Sequence, residues 1–183
     1  MILGKPVIYL YPTETTQVRV DVELARGTFT ATEPPLGDGW QVTAQPDGTL
    51  TGPDGESYSY LFWEADAPVA FDFSSGFVVP GRESEGFLRE KLAYLGLNQR
   101  EIADFLAFWQ PQMEGNPYNL VAFQTERYTE EAQLRIEPQP DQVIRVFMAC
   151  RPLDGPVEVP EQVLQPAARR GFTAVEWGGS MVE

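Results

Sequence analysis

The chain has 183 residues with 43% apolar, 12% aromatic and 22% charged side chains, a mixture typical of a folded domain. Thirteen Lys and Arg residues against 27 Asp and Glu residues give a net charge of −14, with no histidine and one cysteine, Cys150. These counts exclude His-dependent catalysis, His-ligated metals, an internal disulfide and a cysteine-built zinc site within the chain. We expect one domain over residues 1–183 and no cofactor.

The charge and the apolar pattern limit the partners. A strongly negative protein repels phosphate backbones and anionic lipid headgroups, so we do not expect it to bind nucleic acid or a membrane surface. No segment approaches the ~20 apolar residues of a membrane-spanning helix, and the start lacks the basic and long apolar regions of a signal peptide. We therefore expect either a cytoplasmic protein or an exported or cell-surface protein whose export segment precedes this chain.

Residues 5–80 have the patterns of β-strands. Val7–Tyr11 is a continuous apolar run that Pro12 ends, which predicts a strand buried on both faces. Residues 18–24 alternate between apolar and polar, which predicts a strand with one buried face, and residues 28–32 are its expected hairpin partner. Further strands are predicted at residues 40–44, 49–51, 58–64, 69–73 and 77–79.

The period changes to that of helices over residues 84–114. Ser84 is the expected N-cap of a first helix that ends at Gly96. Asn98 followed by Glu101 predicts a capping box, and Pro111 together with the cluster Gly115-Asn116-Pro117 is expected to end the second helix. The apolar stripes of this helical hairpin are expected to pack on a sheet. The residues predicted to be buried there are Leu88, Leu92, Ile102, Phe105, Leu106 and Trp109.

Strands are predicted again over residues 118–179, at 119–123, 133–137 and 142–150, followed by an irregular segment at 153–170. The last strand, 171–179, is apolar on both faces, so we expect it to be central and to pair with Val7–Tyr11 or Val143–Ala149. The fold class is therefore predicted to be α+β. It comprises a mostly antiparallel sheet or sandwich with a two-helix hairpin, at about 84–114, packed on it.

Three segments carry a resemblance to known sequences. Residues 5–12 read KPVIYLYP, residues 60–64 read YLFWE and residues 171–179 read GFTAVEWGG. Together with several shorter stretches across nearly the whole chain, they resemble a family of uncharacterised bacterial proteins. That family has no assigned activity, so the resemblance implies one intact unit and assigns no catalytic residue.

Two carboxylates lie beside tryptophans: Glu64 follows Trp63, and Glu176 precedes Trp177. A glycoside hydrolase needs two carboxylates at about 5–9.5 Å and no histidine, so Glu64 and Glu176 are candidate catalytic residues. The two tryptophans are then candidate ligand-binding residues. In the structural alternative each acid is a strand-end carboxylate with its own partner, and for Glu176 we expect that partner to be Arg145.

Calcium is the other chemistry open to an acidic chain without histidine. Asp47 and Asp54, with Glu56, lie on adjacent turns and are candidate metal ligands. Their spacing does not match an EF-hand, and Pro-Asp-Gly is the usual composition of a tight turn, so we predict solvated turn aspartates and no metal. Cys150 ends an apolar strand and is predicted to be a buried small hydrophobe.

The chemistry that the sequence permits favours a non-catalytic binding or accessory module with a protein or glycan ligand. The alternative is a glycan-active enzyme that uses Glu64 and Glu176. A third hypothesis is self-association through the strand at residues 18–24, if its edge is uncovered.

Overall fold

The computed structural model describes residues 2–182, and they form two β-sheets and three α-helices. The helices are α1 (Ser84–Tyr94), α2 (Gln99–Met113) and α3 (Thr125–Glu131). The strands are β1 (Ile2–Tyr11), β2 (Thr16–Leu24), β3 (Thr28–Glu33), β4 (Trp40–Ala44), β5 (Leu50–Thr51), β6 (Ser57–Tyr58), β7 (Leu61–Asp66), β8 (Phe77–Pro80), β9 (Tyr118–Phe123), β10 (Ala132–Glu137), β11 (Gln142–Leu153) and β12 (Thr173–Met181). None of the helices between residues 2 and 182 is long and apolar enough to cross a lipid bilayer.

The seven-stranded sheet has the order β3-β7-β1-β12-β11-β9-β8, and the five-stranded sheet has the order β10-β2-β4-β5-β6. Every strand pairing in the described part of the chain is antiparallel except β11 with β12, which is parallel. A parallel pair needs a long crossover, and here it is the irregular segment 154–172. The predicted α+β class with a mostly antiparallel sheet is confirmed.

The last strand, β12, lies at the centre of the larger sheet. It pairs with β1 on one side and β11 on the other, so both predicted partners are correct. Its residues 173–180 are all buried. A side chain at Gly179 would lie 2.8 Å from the Met148 carbonyl oxygen and 2.8 Å from the Trp109 ring. Glycine is needed at this position because the next strand and α2 approach β12 so closely.

Apolar side chains form two layers, one on each face of the seven-stranded sheet. One layer fills the space between the sheets, and the other lies between the larger sheet and the two helices α1 and α2. The six helical residues predicted to be buried are each at most 6% exposed. The apolar stripes of α1 and α2 therefore lie in the second layer.

The helix ends differ from the predictions in detail. Asn98 and Glu101 form the predicted capping box of α2. Ser84 is not the N-cap of α1 but its first residue, and its hydroxyl donates to the Gly81 carbonyl oxygen at 2.7 Å. Pro111 lies inside α2, which continues to Met113 and ends just before the predicted cluster Gly115-Asn116-Pro117. An exposed proline near the end of a helix removes only one backbone hydrogen bond.

The predicted hairpin between residues 18–24 and 28–32 is wrong. β3 pairs with β7 in the larger sheet, whereas β2 lies between β10 and β4 in the smaller one. The chain changes sheets at Gly27, whose φ of +97° and close approach to the Asp66 carbonyl oxygen both require glycine. Because β2 has a neighbour on both sides, the hypothesis of self-association through its edge is also wrong.

Two further strand predictions fail. The extended run 58–64 is divided between β6 and β7, which belong to different sheets. Residues 69–73 form no strand: the Asp72 amide donates to the Gln124 side chain, and Phe71 stacks on Phe147 with ring centroids 5.5 Å apart. The side chains of this segment cover the core. Its backbone bonds to the Gln124 side chain and not to a neighbouring strand. The helix α3 was not predicted.

Cys150 is fully buried in β11, as predicted. Burial raises the pKa of its thiol to about 12, so almost no thiolate exists at pH 8. We expect iodoacetamide to leave Cys150 unmodified in the folded protein at pH 8 and to alkylate it fully in 6 M guanidinium. Mass spectrometry of the intact protein measures the extent of this alkylation. Rapid alkylation without denaturant would contradict the buried position.

Candidate functional site

Glu176 is held by two side chains in the layer between the sheets. It is 0% exposed, its Oε2 accepts a hydrogen bond from Arg145 Nε at 2.6 Å, and its Oε1 accepts one from Trp63 Nε1 at 3.0 Å. The Arg145 side chain is 7% exposed. The predicted pairing of Glu176 with Arg145 is therefore confirmed. A buried carboxylate with a cationic partner and an indole donor has the environment of a structural acid.

The strand register creates this pair. Arg145 of β11 lies directly beside Glu176 of β12, so the two side chains point to the same face of the sheet. Tyr128 of α3 covers them, with its ring centroid 4.5 Å from the Arg145 guanidinium carbon. Burial, and next the charge of Glu176, raise the pKa of the Tyr128 phenol well above its ordinary value. Burial alone would lower the pKa of Arg145, but the Glu176 carboxylate raises it, so the guanidinium stays charged.

Glu64 lies on the opposite face of the seven-stranded sheet. Its neighbours Trp63 and Ala65 belong to the layer between the sheets, so the alternation of β7 directs Glu64 towards the helix side. Glu64 is half-buried and accepts a long hydrogen bond of 3.5 Å from Thr30 Oγ1. The structure thus does not bring the Glu64 and Glu176 carboxylates together as an acid and a base.

The two candidate tryptophans are also separated by the sheet. Trp63 contacts Glu176 between the sheets, whereas Trp177 packs in the helix-side layer and donates from Nε1 to Tyr9 Oη at 3.2 Å. Both tryptophans are 0% exposed. Neither ring offers a face to a ligand in this conformation.

The two candidate metal ligands lie in separate turns. Asp47 Oδ1 accepts the Thr49 amide at 2.8 Å, and Asp54 Oδ1 accepts the Glu56 amide at 3.0 Å. The amide bond to Thr49 lowers the pKa of Asp47. Residues 2–182 contain no group of three or more Cys, Asp or Glu side chains placed to hold a metal ion. Both aspartates have the contacts of Asx turns.

Two clefts meet at the N-terminal half of β11. One, of about 750 Å³, lies between β11, the start of α3 and the crossover segment 161–167. The other, of about 510 Å³, lies between β11, α3 and β10. Three residues line both clefts: Thr125, Val143 and Arg145. Arg145, a member of the buried ion pair, therefore borders both clefts.

The strand between the clefts has a free edge. Gln142 donates its amide towards β12, to the Phe172 carbonyl oxygen, and Phe147 accepts from Gln124 on the other side. Pairing with β9 starts only at Met148, so Val143 and Arg145 turn their backbone groups to an edge without a neighbouring strand.

Side chains satisfy only the carbonyl groups of this edge. The carbonyl oxygen of Arg145 accepts from Thr125 Oγ1 at 3.2 Å, and that of Val143 accepts from the Gln142 side chain at 3.2 Å. The amides of Val143 and Arg145 have no partner within residues 2–182. This two-residue edge lies beside the larger cleft.

Arg145 also has an unused donor. Its Nη1 donates to the Ala132 carbonyl oxygen at 2.8 Å, but its Nη2 has no hydrogen-bond partner among the described residues. Sequence reasoning identified Arg145 only as the partner of Glu176. The signal that it missed is an apolar strand followed by a long irregular crossover, which together leave part of a central strand unpaired.

Comparisons with known proteins give a bacterial relative without a function. No protein-family model matches the chain, and no solved structure matches it. A 65-residue segment is 43% identical to an uncharacterised protein in the bglA 3′ region of Butyrivibrio fibrisolvens, and it spans 34% of this chain and 66% of that protein. The chain is thus a sheet-rich α+β protein similar to an uncharacterised bacterial protein, as the sequence motifs predicted. Nothing in these comparisons supports an enzyme.

Proposed function

We propose that this protein is a non-catalytic binding module and that its ligand is an extended peptide, which adds to the free edge of β11 between the two clefts. The observation that carries the proposal is the pair of unpartnered amides, Val143 and Arg145, beside a cleft of about 750 Å³. An extended peptide presents carbonyl oxygens at the spacing of such amides, which a glycan does not. Main-chain hydrogen bonds then give affinity, and the clefts receive alternate side chains.

Charge favours an acidic residue in the peptide. The smaller cleft is lined by Arg135 and Arg145 and by no Asp or Glu of the described chain. A carboxylate on the peptide would meet the exposed Arg135 side chain of this cleft, whose present partner is Glu23 at 3.2 Å.

The proposal treats residues 1–183 as one domain with a helical hairpin on one face of its larger sheet. In support, β1 and β12 pair in the middle of that sheet, and α1 and α2 both pack on it. The alternative, a glycan-active enzyme using Glu64 and Glu176, has no support from the positions of these carboxylates on opposite faces of the sheet.

A proline substitution tests the edge. Val143 is 41% exposed and its amide takes no part in the ladder with β12, so Val143→Pro removes a free donor without breaking a sheet hydrogen bond. We expect Val143→Pro to weaken binding of library-selected peptides about tenfold, with little change in Tm. Val143→Thr, which keeps the amide and the β-branched shape, is the matched control and should bind like wild type. Fluorescence anisotropy with a labelled peptide measures both.

Two results would overturn the proposal. One is equal peptide affinity of Val143→Pro and wild type at unchanged Tm. The other is a screen in which glycans bind the wild-type protein and no peptide does. Preference for acidic peptides in the selection would support the role of Arg135.

A further inference from the structure

Lys5 has an unusual backbone conformation for its residue type. It lies in β1 where the register with β12 shifts between Gly4 and Val7, and its φ is +53°. Left-handed backbone of this kind favours glycine and is uncommon for a residue with a long side chain. Bulges in strands re-aim side chains, and strained positions occur at functional sites.

The bulge directs the Lys5 ammonium onto three aromatic rings. Nζ lies 4.6 Å from the ring centroid of Phe62, 5.3 Å from that of Tyr60 and 5.9 Å from that of Phe108. Its hydrogen bond to Tyr60 Oη is long, at 3.5 Å. Lys5 forms no ion pair within residues 2–182, although the chain has a net charge of −14. The ammonium therefore has donors that no carboxylate of the described chain uses.

One ring of this cluster remains open. Phe108 is 38% exposed, on α2, next to the fully packed Trp109. An exposed aromatic face accepts the C–H face of a sugar ring, and the neighbouring phenol and ammonium supply polar contacts that fix its orientation. The cluster thus combines an apolar platform with an unpaired cation.

We propose that Lys5, Tyr60, Phe62 and Phe108 bind a saccharide that carries a carboxylate. The sugar ring packs on Phe108, the carboxylate meets Lys5 Nζ, and Tyr60 Oη contacts a hydroxyl. Phe62 belongs to the helix-side layer, whereas Arg145 faces the space between the sheets. This site is therefore separate from the peptide edge and does not depend on it.

The test compares a uronic-acid oligosaccharide with its methyl ester and with acetate, by isothermal titration calorimetry. Wild type should bind the acid at least about tenfold more tightly than the neutral ester, and acetate alone should bind weakly. Lys5→Gly should lose this preference, while Lys5→Arg should keep most of it. Equal affinity for acid and ester, or acetate binding as tight as the oligosaccharide, would overturn the proposal.

The thermal stability of Lys5 variants shows whether Lys5 binds a ligand or only stabilises the fold. Glycine adopts φ of +53° without strain, which offsets the lost contacts of the Lys5 side chain, so Lys5→Gly should fold with a Tm close to that of wild type. Lys5→Asn, which also tolerates this conformation, is the second uncharged variant. Both should keep the affinity for edge peptides, and Val143→Pro should keep the affinity for the saccharide. A lower Tm with unchanged saccharide binding in both Lys5 variants would show that Lys5 only stabilises the fold.

Discussion

Glu176→Gln should lower the free energy of unfolding by about 3 kcal/mol, because it leaves the Arg145 guanidinium buried without its counter-charge. Arg145 is 7% exposed and Glu176 0%, so water cannot replace the lost carboxylate. Glutamine keeps the shape and can still accept from Trp63 Nε1, but its NH2 group then faces Arg145 Nε, so the loss contains both the charge and the hydrogen bond to Arg145. Urea unfolding followed by tryptophan fluorescence measures the change. Unchanged stability together with lost ligand binding would contradict the structural role and make Glu176 a functional acid.

The chain offers a matched control on the other face of the same sheet. Glu64→Gln is the same substitution at a half-buried acid with one long hydrogen bond, and it should change stability by at most about 0.5 kcal/mol. Replacing both partners, as in Glu176→Leu with Arg145→Met, should recover much of the stability lost in Glu176→Gln. A double variant less stable than Glu176→Gln would show that the polar contacts to Trp63 and Ala132 matter more than the charges.

Short sequence patterns correctly predicted two features of the fold, the capping box of α2 and the central position of the last strand. Asn98 and Glu101 contact each other across three positions, so the capping box could be read directly from their spacing. The last strand was predicted to be central because its residues are apolar on both faces, and a strand of that kind is stable only when covered. In both cases the signal lies within one short segment, although the strands that cover and pair with β12 are distant in sequence.

Strand partners could not be predicted in the same way. The period of two shows that residues 18–24 and 28–32 are strands, but it contains no information about which sheet each joins. The short connection between these two strands favours a hairpin, whereas the left-handed conformation of Gly27 within it redirects the chain into the other sheet. Long-range pairing of this type depends on the combined packing of the whole core.

The candidate sites show the same limit. Glu176 and Arg145 could be paired because a buried carboxylate needs a cation, which is a chemical requirement. Whether Glu64 joins them depends on which face of the sheet β7 turns towards, and that is fixed only by the register with β1 and β3. The free edge of β11 arises where β9 ends, and the position of Lys5 arises from a bulge. The bulge at Lys5 has no pattern in the residues themselves, and the free edge is indicated only by the long irregular crossover that follows β11.

Phe105→Ala should lower the free energy of unfolding by about 3–5 kcal/mol, since it leaves a cavity in the layer between α2 and the larger sheet. Phe105 is 0% exposed and packs edge-to-face on Trp177 of β12, with ring centroids 5.1 Å apart. The matched control is Phe108→Ala on the same helix, 38% exposed, which should cost less than about 1 kcal/mol. Urea unfolding of both variants measures the difference. If Phe105→Ala unfolds like wild type, the apolar stripe of α2 does not support the sheet and is free to contact a partner.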